Sequence, residues 1–254
     1  MLKHLFKLDF LFINQYLPYF LLGAVVSLLI TRLTADATIT FWIVISNIFK
    51  NLTISCTLSF FINILARTVF RFRNNFYKDE AYLTHTLPVA KSSLYLSKVL
   101  AMLASVVLSS ALLLALFYFL FPDFQDILKV NLDQSLASSL LIALIFLLEI
   151  SYFHFATYVS ILLGHRSSTH RTLRSVGCLI CLYSLPQTFL LSIIYLLSRV
   201  SPDFSFIFEA ATPDAFSLRS AYPLAFLVSG FYLLCGLLYG YLGYRLFRRG
   251  VDVE

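Results

Sequence analysis

Charge is scarce in this chain. Only 13% of its 254 residues are Asp, Glu, Lys or Arg, while 59% are hydrophobic and the mean hydropathy is +0.84. Soluble domains carry about twice that share of charge, so a water-soluble core of this size is excluded on composition. Period-two alternation is also missing, which argues against a transmembrane barrel. Sequence motifs for catalysis are absent as well. No G-x-x-x-x-G-K-[ST] loop occurs, so the chain has no P-loop for ATP, and neither G-x-S-x-G nor H-E-x-x-H is present. Cys56, Cys178, Cys181 and Cys235 all fall in apolar stretches. Cys178-x-x-Cys181 has no second pair to complete a zinc or redox site, and core packing is the better reading. No His, Cys, Asp or Glu cluster has the spacing of a metal site. By itself the chain is not expected to be an enzyme or to bind a cofactor.

Long apolar runs are what the sequence does contain. Six windows, about 16–34, 40–65, 98–121, 137–163, 176–198 and 222–246, are each long enough to cross about 30 Å of hydrocarbon as a helix. The expected fold is an all-α polytopic membrane protein, a single transmembrane domain over residues 1–254. Ala35-Asp36-Ala37 resembles a signal-peptide cleavage site, but the long amphipathic segment before the first apolar run favours a retained span. Basic residues set the orientation. Lys3, Lys7, Arg67, Arg71, Arg73, Lys78, Lys91, Lys98, Arg166, Arg171, Arg174, Arg245, Arg248 and Arg249 fall on one side. The positive-inside rule makes that side cytoplasmic, with both termini on it. The net charge of +6 is thereby assigned to topology and anionic lipid, and nucleic acid is not needed as a partner.

Two segments neither span nor read as plain loops. In Met1–Tyr16, Leu2, Leu5, Phe6, Phe10 and Ile13 are set against Lys3, Lys7, Asp9 and Asn14, the pattern of a helix over 1–15 lying in the membrane interface. A ragged extension of the first span is the other reading. Residues 198–221 mix Phe204, Phe206, Ile207, Phe208 and Phe216 with Pro202 and Pro213, and are expected to re-enter the outer leaflet as an extracellular element.

Polar residues inside the spans are the candidate sites. Lys50 and Glu149 lie near the middle of the second and fourth spans, at similar depth, where a bare charge costs at least about 2.5–3.5 kcal/mol. A fixed salt bridge between them and a role in substrate contact or gating are both open. Asn47, Asn51, Ser55, Ser59 and Asn63 recur every four residues and therefore share one helix face, either a subunit seam that doubles as a translocation path or plain packing. In the fifth span, Pro186 stands beside Ser184 and Gln187. Its missing N–H frees a carbonyl near Leu182. Gly236-x-x-x-Gly240 permits close backbone approach in the last span, and His154 reads as a hydrogen-bonded core histidine.

The one sizeable charged island, Arg67–Lys98, is the most specific feature. Asp79 and Glu80 suit a helix start, and Tyr82 and Leu83 offer apolar anchors for a protein groove. The same helix lying on lipid phosphates is the alternative. The run Phe76-Tyr77-Lys78-Asp79-Glu80-Ala81-Tyr82-Leu83-Thr84-His85-Thr86-Leu87-Pro88-Val89, with Lys91-Ser92 and Ser97-Lys98 after it, resembles the loop that follows the second span in ABC-2-type transporter permeases of Firmicutes, whose versions read much like F-Y-x-D-E-x-Y-L-T-x-T-L-P-V-x-K. The rest of the chain resembles that family more loosely, through its amphipathic start, six spans and basic tail.

The resemblance implies an ABC-2, type V exporter-like architecture. The cytoplasmic loop 66–98 would contain a coupling helix over 79–86 in which Asp79, Glu80, Tyr82, Leu83, Thr84, His85 and Thr86 dock on a separate ATPase subunit. ATP and Mg would then belong to that partner. It also implies a second permease subunit, identical or related, a place in the bacterial plasma membrane, and export of an amphipathic or lipophilic substrate such as an antimicrobial or toxin peptide. Under this reading Asn47, Lys50, Asn51, Ser55, Ser59, Glu149, Pro186 and Gln187 would line the path or the seam. The competing function is a non-transporting membrane sensor, or an immunity protein that binds peptide.

Overall fold

The computed structural model describes residues 2–34, 39–77, 89–120, 136–166, 170–200 and 222–249. Among them it contains seven helices and no strand: α1 (Leu2–Ile13), α2 (Leu17–Leu33), α3 (Thr40–Tyr77), α4 (Lys91–Leu120), α5 (Leu136–Gly164), α6 (Arg171–Val200) and α7 (Tyr222–Arg248). Five of them are long and apolar enough to cross a membrane. A sixth candidate is the pair α1 and α2, joined at a 42° bend. Large side chains such as Leu173, Ile180, Leu185, Phe189, Leu191 and Leu196 on α6 are exposed. Water would penalise such a surface, whereas lipid accepts it. The expected docking helix, and all but the first three residues of the expected re-entrant segment, lie outside the described residues.

Two compact units divide the chain, Met1–Lys129 and Val130–Glu254. In the first, α2 packs along α3 while α1 lies against α4 and α3. The buried face of α3 runs Thr53, Thr57, Phe60, Ile64, Thr68, Phe72 and Phe76, at the three- and four-residue steps of one helical stripe. Hydroxyls help close the α2–α3 contact, with Ser27 Oγ 2.8 Å from Thr53 Oγ1. Nearer the bend, Ile13, Phe60, Ile64 and Ala101 form a core to which Phe6, Phe10, Leu17 and Phe20 are added. At the far end of α2, the Arg32 guanidinium donates to the Phe119 carbonyl, one of the last carbonyls of α4 and so without a helical partner of its own.

The 38 residues of α3 give it a length of about 57 Å, nearly twice the hydrocarbon thickness. Its arginine-bearing end therefore projects from any span it makes. Both ends of the expected loop 66–98 are helical. Residues 66–77 continue α3 and 91–98 open α4, because Phe72, Phe76, Leu94 and Tyr95 are apolar enough to stay buried as helix.

The structure also reassigns the faces of α1. Asp9, expected among the solvated residues, is 2% exposed, while Leu8 and Leu11 are exposed beside Lys3 and Lys7. Asp9 falls three residues after Phe6 and four before Ile13, which puts it inside the apolar stripe. Burial there is tolerable only because cations from α3 and α4 meet it.

In the second unit α5 is central and packs against both α6 and α7. The two helices α5 and α6 approach so closely that a Cβ on Gly164 would overlap Ser175 Oγ and stand 2.7 Å from its backbone nitrogen. Gly164→Ala is expected to lower stability by about 1–3 kcal/mol through overpacking. Gly177→Ala, where nothing lies within 4 Å, serves as the control. Thermal unfolding in detergent compares the two, and equal midpoints would contradict the close approach. Gly236 and Gly240 face Phe155, whose ring would be 3.4 Å from a Cβ on Gly240. The glycine pair thus admits an aromatic ring from α5.

Candidate functional site

The clearest polar construction within a span surrounds Pro186. A proline at this position removes the N–H that would bond the Leu182 carbonyl four residues earlier. Two tyrosines from other helices replace it: the Tyr152 hydroxyl of α5 donates to Leu182 O at 2.7 Å, and the Tyr239 hydroxyl of α7 donates to the same atom at 2.8 Å. One turn further along, the Gln187 amide and the Tyr232 hydroxyl share hydrogen bonds of 3.1 and 3.2 Å. Glu149 is half-buried and within electrostatic reach of the Tyr183 and Tyr232 hydroxyls. The Tyr152 ring lies 5.6–5.9 Å from those of Tyr183, Tyr232 and Tyr239. The gap made by the proline is thereby turned into a junction of α5, α6 and α7.

That junction predicts a non-additive loss. Either Tyr152→Phe or Tyr239→Phe leaves one donor on Leu182 O and is expected to cost about 0.5–1.5 kcal/mol. The double variant leaves the carbonyl unsatisfied away from water and costs more than the sum, while Pro186→Ala, which restores the N–H, removes the excess. Thermal melting of the set in detergent checks this. Strict additivity, or no rescue by Pro186→Ala, would contradict the capping role.

The polar stripe on α3 takes the opposite side of its helix from the threonines that hold α2. Asn51 and Ser55 precede Thr53 and Thr57 by two residues, a rotation of about 200°. Asn47, Asn51, Ser55 and Ser59 are all exposed, Asn63 and Lys50 are half-buried. Amide groups on the outer surface of a spanning helix cannot be satisfied by hydrocarbon, so this face requires a polar partner. Lys50 and the stripe belong to the first unit, whereas Glu149, Pro186 and Gln187 belong to the second. Pairing of Lys50 with Glu149 stays a proposal.

A charged node absent from the sequence-based candidates joins α1 to the last turns of α3 and the first turns of α4. Asp9 Oδ1 accepts from Lys98 Nζ at 2.5 Å and from Arg71 Nε at 3.0 Å, and Ser97 Oγ donates to Asp9 Oδ2 at 3.2 Å. Lys98 is 5% exposed and sits 6.0 Å from the centre of the Phe76 ring. Arg67 reinforces the contact, donating to the Phe12 carbonyl at 2.8 Å and lying 3.7 Å from the Tyr16 ring centre. Asn14, expected on the polar face of α1, donates to Ser105 of α4 at 2.7 Å. The signal for the node was available: a lone carboxylate on the apolar stripe of α1 calls for cations elsewhere.

Of the remaining candidates, Asp79, Glu80, Tyr82, Leu83, Thr84, His85 and Thr86 lie outside the described residues. His154 is 3% exposed, and its Nδ1 donates to the Ile150 carbonyl at 2.8 Å, as a core histidine would. Cys235 is buried in the core of the second unit, while Cys181 is exposed on α6. Among the described residues no three His, Cys, Asp or Glu side chains converge as metal ligands would. Comparison with known proteins finds no relative: no family model matches the chain, and no curated protein or solved structure is similar to it.

Proposed function

We propose that this chain is the membrane subunit of an ABC-2-type exporter, powered by a separate ATPase subunit that docks on the 78–88 segment at the cytoplasmic face of a bacterial plasma membrane. The observation that carries the reading is the run Phe76–Val89, an acidic, aromatic and proline-terminated stretch in a chain without a nucleotide-binding loop of its own. Two features of the fold support it. The described residues include five or six helices long enough to span, and α3 is nearly twice as long as a span requires. ATP binding would draw the ATPase subunits together, and the docked segments would pass that movement to the spans. The outward amides of α3 suit a second permease subunit, and since an amide both donates and accepts, an identical stripe is a fitting partner.

The exported substrate is amphipathic or lipophilic under this reading, with a membrane-active peptide as the leading class. Purification in mild detergent tests it. The chain alone should show no ATP hydrolysis, and hydrolysis should appear with an ATPase subunit bound in equal number. A chain that binds such a peptide tightly but recruits no ATPase would favour the sensor or immunity function.

A further inference from the structure

The Asp9 node joins three parts of the chain that are far apart in sequence. Arg71 stands on the helix that enters the 78–88 segment, seven residues before Lys78. Lys98 stands on the helix that leaves it, ten residues after Pro88. Both are held by one carboxylate from α1, itself 2% exposed. The seat is otherwise apolar, with Phe72 and Phe76 fully buried and Leu94 and Tyr95 nearly so. Apolar packing of this kind resists separation of the helices but tolerates sliding and rotation, whereas charge-assisted hydrogen bonds fix direction and register. Arg67, with its cation–π contacts to Phe12 and Tyr16, holds the far end of α1 on the same helix, so α1 cannot drift away from the node alone.

We propose that Asp9 is a positioning residue for the 78–88 segment: by tying Arg71 to Lys98 it sets the separation and register of the two helix ends between which that segment is strung. This rests on reading the segment as the ATPase-docking element, and it gives α1 a mechanical role. A displacement of the docked segment would pull on α3 and α4 together and reach α1 through the same carboxylate.

Two spin labels read the separation without any ATPase present. Phe70 and Leu96 are exposed on the two helix ends and accept labels as cysteines in a chain whose four native cysteines are replaced. The intact node should give one narrow distance distribution. Asp9→Asn should at least double its width and also lower the melting midpoint, because Lys98 stays buried beside a neutral amide. Combining Asp9→Asn with Lys98→Met removes the buried charge, so the midpoint should return to within about 2 °C of the parent while the distribution stays broad. Asp9→Glu, which keeps the charge, should stay narrow with a shifted mean. A double variant that regains both its midpoint and its narrow distribution would overturn the proposal and leave Asp9 a structural residue only. A parallel pull-down with Asp79→Lys and Glu80→Lys keeps the two ideas separate: retained ATPase there sinks the docking reading, and the distances alone judge the node.

Discussion

Asp9→Ala is expected to destabilise the first unit by about 3–5 kcal/mol, the usual cost of removing one partner from a buried ion pair. The magnitude follows from burial. Asp9 and Lys98 are 2% and 5% exposed, so water cannot replace the lost carboxylate around the ammonium group. An exposed pair of the same geometry would be worth only about 0.2–1 kcal/mol. Lys3→Ala or Lys7→Ala, on the exposed side of the same helix, should change stability by less than about 0.5 kcal/mol. Denaturant titration in detergent micelles compares the three. A loss for Asp9→Ala no larger than for Lys7→Ala would contradict the buried node.

The reversal of Asp79 and Glu80 to lysine is expected to have the largest functional effect, lowering ATPase association by at least about tenfold while membrane insertion is unchanged. Two like-charge substitutions at one contact cost several kcal/mol, more than most single interface residues contribute. In the proposed docking helix they would also place cations at a start that favours anions. Insertion is a property of the apolar spans and should not respond. Co-purification quantified against the inserted chain measures the effect. Undiminished association would remove the docking role, and loss of insertion would show that the change acts through folding.

The sequence was most legible where a single local rule settles the matter. Helix class follows from apolar runs of 18 residues or more, and among the described residues five or six helices are long and apolar enough to span. The carbonyl freed by Pro186 was also foreseeable from the four-residue hydrogen-bond spacing. Its capping by Tyr152 and Tyr239 was not, because those donors come from helices 30 and 57 residues away in the chain. The helical ends of the expected loop 66–98 were not legible, since charged residues such as Arg67, Arg71 and Lys98 looked like loop while Phe72, Phe76 and Tyr95 were burying helix. Asp9 was placed on the wrong face for a related reason. Composition marks a carboxylate as solvated, and only the three-dimensional arrival of Arg71 and Lys98 shows how burial is offset.

The stripe on α3 falls between these cases. Its periodicity was plain in the sequence, and the structure adds that it points away from the helix α2 that α3 already holds. What covers it is a matter for assembly. A second copy of the chain fits the chemistry, and the exporter reading needs a second permease subunit, identical or related.

The most direct test of that reading is a photo-crosslink from the docking segment in living membranes. A benzoylphenylalanine placed at Tyr82 should form an adduct with a protein whose peptides include a G-x-x-x-x-G-K-[ST] sequence. The adduct should disappear when Asp79 and Glu80 are reversed. Adducts formed only with lipid, or only with the chain itself, would contradict the claim that this segment receives an ATPase.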